Sequence, residues 1–200
     1  MTTAVTAAAV LLVIAASWGY LRDVRRRRAD PRLASWAVFT AAMGVGAAAA
    51  AVARQWPGCV LTAAGSATCA AILVSGWRHG NREFCRLDAG CAVLGAAGVA
   101  LLAAAAGWPR VVPAAAAVAA SVITDLVAYL PTFANGWRGE ETWPPFAQFA
   151  VAAALTLAVA DFTVPAGVIY PGYEMAVNAA MTVIVLASPR QGGRAMRGSR

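Results

Sequence analysis

Lysine is absent from the 200-residue chain, histidine occurs once, and charged residues make up only 12% of it. Soluble domains carry about 25% charged residues, so this composition excludes an ordinary soluble globule, a disordered chain and a nucleic-acid-binding domain. The net charge of +7 does not restore nucleic-acid binding, because all 16 basic residues are arginines and most lie in a few short clusters. Apolar residues make up 60% of the chain, which predicts an integral membrane protein.

Metal and nucleotide motifs are also missing. The four cysteines form no C-x-x-C pair and His79 has no partner at metal-ligand spacing, so neither a zinc site nor a disulfide framework is expected. Cys69 lies in an apolar stretch and is predicted to be a small buried residue. The chain contains no P-loop, G-x-G-x-x-G, G-x-S-x-G or H-E-x-x-H motif, and neither the Asp-rich motif of ionising terpene synthases nor the acidic motif of soluble protonating cyclases. We predict no cofactor and no metal.

Seven apolar stretches are long enough to cross a bilayer. A membrane core needs about 20 apolar residues per helix, and an open strand or loop would leave backbone amides unpaired in lipid. The first stretch is not a secretory signal, because its positive run follows the apolar segment instead of preceding it. We predict an all-α integral membrane protein with seven transmembrane helices at 3–21, 33–53, 57–77, 86–107, 111–132, 145–161 and 164–187.

The arginines predict the orientation of these spans. Fourteen lie in the loops after the first, third and fifth spans and in the C-terminal tail, whereas only Arg54 and Arg110 lie on the other side. Because cytoplasmic loops of membrane proteins are enriched in Arg and Lys, we predict an N-out/C-in, multi-pass protein of the plasma (inner) membrane. Residues 189–200 would form a basic cytoplasmic tail. The bilayer is the predicted partner, and the oligomeric state is left open.

An offset of 109 residues aligns the two halves of the chain. It matches Tyr20-Leu21 with Tyr129-Leu130 at the inner ends of the first and fifth spans, and the span boundaries coincide. We predict parallel three-helix repeats at 1–80 and 110–188, joined by a linker transmembrane helix in 81–109 that restores the orientation.

This three-one-three arrangement of seven short helices resembles the SWEET and PQ-loop membrane proteins, and that resemblance implies solute transport. Pro131-Thr132 stands where the proline-glutamine dipeptide of the PQ-loop proteins is expected. The size, span count and intramembrane acids are similar to those of seven-helix integral membrane terpene cyclases, which act on prenylated indoles and other meroterpenoids. Resemblance to a group of small bacterial seven-helix proteins rests on Tyr20-Leu21-Arg22-Asp23, Pro31, Ser35-Trp36, Asp125, Tyr129-Leu130-Pro131-Thr132, Tyr170-Pro171 and Asn178.

Two acidic residues lie deep within predicted spans. Asp125 follows roughly 14 residues of the fifth span, and Glu174 lies about 10 residues into the seventh. An ionisable group there costs at least about 2.5–3.5 kcal/mol, so we predict that both are catalytic acids, with a structural hydrogen bond between helices as the alternative. Asp125 ranks first because its helix face leads to an expected break at Pro131-Thr132. Solvation or pairing with arginine is expected for Asp23, Asp30, Glu83, Asp88, Glu140 and Glu141. Asp161 is expected to be exposed to solvent at the outer end of the sixth span.

Aromatic and polar side chains accompany the two acids at helical spacing. One stripe contains Ser121, Asp125, Ala128, Tyr129 and Thr132, and the other contains Tyr170, Tyr173, Glu174, Asn178 and Met181. Aromatic faces stabilise cations, although Trp143, Phe146 and Phe149 also fit a membrane-interface belt equally well. The predicted substrate-binding residues are Tyr129, Trp143, Phe146, Gln148, Phe149, Tyr170, Tyr173 and Asn178.

Three functions remain open at this point. The first is a membrane terpene cyclase in which an intramembrane carboxylic acid protonates a lipophilic prenylated (meroterpenoid or indole) substrate. The second is a SWEET-like small-solute transporter with the same acids in a central site. The third is a structural or assembly subunit. The repeat favours the transporter, whereas Ala16 and Gly65 occupy the positions equivalent to Asp125 and Glu174, which favours one specialised site.

Overall fold

The structure, a computed structural model, describes residues 2–52, 56–79, 86–107, 114–160, 162 and 165–189. Every regular element within these ranges is a helix, which confirms the all-α prediction. The seven helices are α1 (Thr2–Arg25), α2 (Leu33–Val52), α3 (Trp56–His79), α4 (Arg86–Gly107), α5 (Ala114–Trp137), α6 (Trp143–Ala158) and α7 (Pro165–Ala187). Predictions for Arg54, Glu83, Cys85, Arg110, the Ser121 side chain, Asp161 and residues 190–200 lie outside the described part of the chain.

Three segments within these helices are long and apolar enough to cross a membrane: Thr2–Arg25, Cys59–His79 and Val168–Ala187. The distribution of side chains fits this, because large apolar residues face outwards while polar ones face inwards. Trp18 is 68% exposed and Val93 is 70% exposed, whereas Asp125, Asn135 and Asn178 are buried. A soluble protein avoids extended apolar surfaces of this kind, so the pattern indicates a membrane-associated protein.

Helix α5 extends beyond the expected break at Pro131-Thr132. It continues through Pro131 to Trp137, so the predicted break is wrong. A proline inside a helix removes one backbone donor, and packing against neighbouring helices can hold the helix together around it. The helix instead ends where Gly139 adopts a φ of 69° and the Glu140 amide donates to the Asn135 carbonyl oxygen. Gly139 suits this left-handed cap because it has no Cβ.

The helices pack in a regular order. Helix α3 contacts both α1 and α2, and α7 contacts both α5 and α6. Helix α1 packs on α6, α2 packs on α5, and α4 packs on α2 and α5. A Cβ atom at Gly98 of α4 would overlap the Thr124 side chain of α5, so this glycine permits the close approach of the two helices.

A chain of aromatic rings runs through the core between these helices. The ring centroids of Tyr20 and Trp36 are 5.1 Å apart, those of Trp36 and Phe39 are 5.6 Å apart, and those of Phe39 and Tyr129 are 4.7 Å apart. Because these residues lie on α1, α2 and α5, the chain of rings connects the C-terminal end of α1 with the middle of α5. We call this end of the helix bundle the inner end, after the predicted orientation.

Candidate functional site

The structure brings Asp125 of α5 and Glu174 of α7 together. Asp125 is 1% exposed, and its carboxyl group lies close enough to that of Glu174 for direct interaction. Neither Asp125 oxygen has a hydrogen-bond partner of good geometry among the described residues, and the same holds for Glu174 Oε1. The polar faces of α5 and α7 that carry the two acids therefore lie against each other.

Asn178 and Tyr129 hold one side of this carboxyl pair. The Asn178 Nδ2 group donates to Glu174 Oε2 at 2.9 Å and to the Glu174 backbone carbonyl at 2.9 Å. The Tyr129 hydroxyl donates to Asn178 Oδ1 at 3.1 Å. Since Tyr129 also packs on Phe39, the hydrogen-bonded chain from Glu174 ends at the chain of aromatic rings.

Three further side chains surround the pair. Tyr173 interacts with Asp125, and Tyr170 interacts with Glu174. The two tyrosine rings lie 6.2 Å apart between centroids. Cys69 of α3 is buried, as predicted, and it lies within electrostatic range of both carboxyl groups. Cys69 also occupies the position that the offset of 109 residues matches with Asn178, so equivalent positions of α3 and α7 face the same site.

The four predicted binding residues of α6 differ in exposure and packing. Trp143 is 40% exposed at the first residue of the helix, as a residue of a membrane-interface belt would be. Phe146 is buried and packs edge-to-face with Tyr20, with the two ring centroids 6.0 Å apart. Gln148 is half-buried, and Phe149 packs against two apolar clusters of the core.

Another buried acid, Glu141, lies at the inner end of the bundle and was expected to be solvated or paired with arginine. It is 1% exposed, and its Oε2 accepts a 2.6 Å hydrogen bond from the Tyr20 hydroxyl. Burial raises the pKa of Glu141 to about 8, although the Tyr20 hydrogen bond opposes that rise. The expectation failed because Glu141 stands beside charged loop residues in sequence while its partner is 121 residues away.

Arg32 organises the same inner end. Its Nε donates to Asn135 Oδ1 at 2.6 Å, and its guanidinium lies 3.5 Å from Asp88 Oδ2 and 3.8 Å from Glu140 Oε2. The predicted pairing with arginine is thus confirmed for Asp88 and Glu140. The Asn135 Nδ2 group in turn donates to the Asp30 carbonyl oxygen at 2.7 Å. We call Tyr20, Arg32, Asp88, Asn135, Glu140 and Glu141 the inner network.

The inner network joins the segment between α1 and α2 to the segment between α5 and α6. The sequence predicted arginine partners for Asp88 and Glu140, but not the Tyr20–Glu141 and Arg32–Asn135 hydrogen bonds, which connect residues 121 and 103 positions apart. Among the described residues, no group of three or more His, Cys, Asp and Glu side chains could hold a metal ion. Separately, the Asp125 and Glu174 carboxyl groups lie close enough to each other to share a proton. No family model, curated protein or solved structure matches this chain.

Proposed function

We propose that the chain is a multi-pass plasma-membrane protein, N-out/C-in, that acts as a terpene cyclase on a lipophilic prenylated (meroterpenoid or indole) substrate. The observation that carries this proposal is the buried contact between the Asp125 and Glu174 carboxyl groups, away from any described basic partner. A substrate that dissolves in the bilayer would meet such a site without crossing water.

The contact between the two carboxyl groups favours a bound proton. Two negative charges at close range in a buried site repel each other strongly, and one proton between them turns that repulsion into a hydrogen bond. This proton would supply the missing partner of Asp125. The pair would then contain one acid that donates a proton and one carboxylate that accepts one.

Cyclisation follows from these two roles. The acid transfers its proton to one carbon of a substrate alkene, leaving a carbocation, and a second alkene of the same molecule closes the ring by attacking that cation. Loss of a proton from a neighbouring carbon to the carboxylate ends the reaction, so the product is an isomer of the substrate. The rings of Tyr129 and Phe39 would stabilise the cation through their π-faces.

A second candidate function, small-solute transport, is favoured by the packing order and the inner network. If the two three-helix repeats are related, α1 corresponds to α5 and α2 corresponds to α6. The α1–α6 contact then has a matching contact between α5 and α2, and the structure contains both contacts. The Tyr20–Glu141 and Arg32–Asn135 bonds would connect these repeats at the inner end. A carrier would break them to open inwards.

Membranes containing the protein, supplied with prenylated indoles and other meroterpenoid precursors, test the enzyme proposal. We expect a cyclised isomer from the wild-type protein and a loss of about 10²–10⁴-fold in rate for Asp125→Asn, because removing a general acid has this cost. Asp23→Asn is the matched control, since Asp23 is a buried aspartate at the inner end of α1. It should retain nearly full activity.

The two functions separate in the same membranes. Conversion in open membranes without any ion gradient supports the cyclase. If no substrate is converted, and sealed vesicles accumulate a solute only when Asp125 is present, the result favours the transporter over the cyclase. Full activity of Asp125→Asn, Glu174→Gln and the double variant would refute a role for the carboxyl pair in either function.

A further inference from the structure

A basic groove lies between the last turns of α1 and α3. It has a volume of about 400 Å³, and Arg25, Arg78 and His79 line it together with Ser75. The remaining wall is apolar and consists of Leu21, Ala70, Ala71 and Val74. Both helices contribute segments long and apolar enough to cross a membrane, so the groove lies where such a helix would leave the lipid.

The polar side of the groove contains an unused hydrogen-bond donor. Ser75 is only 6% exposed, and its hydroxyl has no hydrogen-bond partner among the described residues. His79 Nδ1 lies 3.1 Å from the Ser75 carbonyl oxygen, which places the imidazole beside the same turn. A buried hydroxyl without a partner costs free energy, and an acceptor in the groove would remove that cost.

The charges of the groove select an anionic acceptor. None of the described residues lining it is acidic, whereas two arginines face it. The helix dipole is unfavourable to an anion at the C-termini of α1 and α3, but it amounts to about half a charge per helix. The two full charges of Arg25 and Arg78 outweigh it, and guanidinium groups match the geometry of phosphate.

A second, larger groove continues from the same place and is apolar. It has a volume of about 1120 Å³, shares Val74 and Arg78 with the basic groove, and runs between α2, α3 and α4. Leu33, Val38 and Val99 are among its lining residues. The two grooves together therefore offer a phosphate site beside a channel for a hydrocarbon chain.

We propose that an anionic phospholipid binds here, with its phosphate against Arg25, Arg78 and Ser75 and one acyl chain in the apolar groove. This site is separate from the Asp125–Glu174 pair and does not depend on the proposed function. The lipid would hold the inner ends of α1 and α3 together. Arg25 and Arg78 are the two arginines that line the groove, and His79 is its third basic side chain.

Native mass spectrometry of the purified full chain, titrated with phosphatidylglycerol or phosphatidylcholine, tests the proposal. We expect tighter binding of phosphatidylglycerol and a loss of at least about tenfold in its affinity for the double variant Arg25→Gln/Arg78→Gln, because each charge-assisted hydrogen bond contributes about a factor of ten or more. The matched control, Arg26→Gln/Arg138→Gln, removes the same charge from exposed residues outside the groove and should change the affinity less than twofold.

Ser75→Ala keeps every charge and tests the site even if the double arginine variant fails to fold. We expect it to weaken phosphatidylglycerol binding several-fold, whereas the control variant Arg26→Gln/Arg138→Gln changes that affinity less than twofold. Equal losses in the groove variant and the control variant would overturn the proposal, since they would indicate general surface charge. Displacement of the lipid by millimolar glycerol phosphate would also overturn it, because the site would then be one for a small soluble anion.

Discussion

Replacing Glu141 by Gln should remove a pH dependence from the stability of the protein. Burial gives the folded protein a Glu141 with a pKa of about 8, against 4.5 for the ordinary side chain. Between these values the folded protein holds a proton that the unfolded chain releases. The stabilisation from this group is therefore complete below pH 4.5 and is lost as the pH rises through 8.

The size of the effect follows from linkage. Each pH unit in this window corresponds to about 1.36 kcal/mol, so the wild-type protein loses on the order of 5 kcal/mol of stability across it. For a chain of this length, that loss lowers Tm by roughly 10 °C or more. Glutamine can still accept the Tyr20 hydrogen bond but does not titrate, so the variant should lose this part of the dependence.

Thermal unfolding of the detergent-purified protein between pH 4.5 and pH 8 provides the assay. The control is Glu140→Gln, which removes a neighbouring carboxylate and leaves Glu141 in place, so most of the wild-type slope should remain. If the wild-type protein and Glu141→Gln show the same slope, the buried Tyr20–Glu141 contact does not exist in solution as described.

Three further predictions concern packing, the cap of α1 and orientation. Gly98→Val should destabilise the protein by about 1–3 kcal/mol through overpacking against Thr124, measurable as a lower Tm, and an unchanged Tm would contradict the close α4–α5 contact. Arg27→Gly should raise Tm modestly, because Arg27 has a φ of 54° in the cap of α1, and a lower Tm would contradict that conformation. A reporter after Ser199 should be active only in the cytoplasm and one before Thr2 only outside, and the reverse pattern would overturn the predicted orientation.

The helices could be predicted because long apolar runs have a simple physical signature. A run of about 20 apolar residues fixes both the presence and the approximate bounds of a helix. The exception is the inner end of α5, where the sequence predicted a break at Pro131 and tertiary packing carries the helix on to Trp137. Proline weakens a helix locally, and that local effect did not decide the outcome.

The carboxyl pair could also be predicted, but the hydrogen bonds of the inner network could not. Asp125 and Glu174 each stand out as acids within an apolar helix, and periodic spacing shows which neighbours share their face. Glu141 lies among charged loop residues, where the common outcome is solvation. Its burial depends on Tyr20, which approaches from another helix. The residues next to Glu141 in sequence do not predict such a contact.

Proton transfer from the Asp125–Glu174 pair is the central step of the proposed reaction, and solvent isotope incorporation measures that transfer directly. Membranes containing the protein are incubated with a prenylated substrate in deuterium oxide, and the cyclised product is analysed by mass spectrometry and NMR. We expect one deuterium per protonation-initiated cyclisation, at the protonated carbon, and no product above background with Asp125→Asn and Glu174→Gln combined. A cyclised product without solvent deuterium, or the same deuterated product from the double variant, would contradict it.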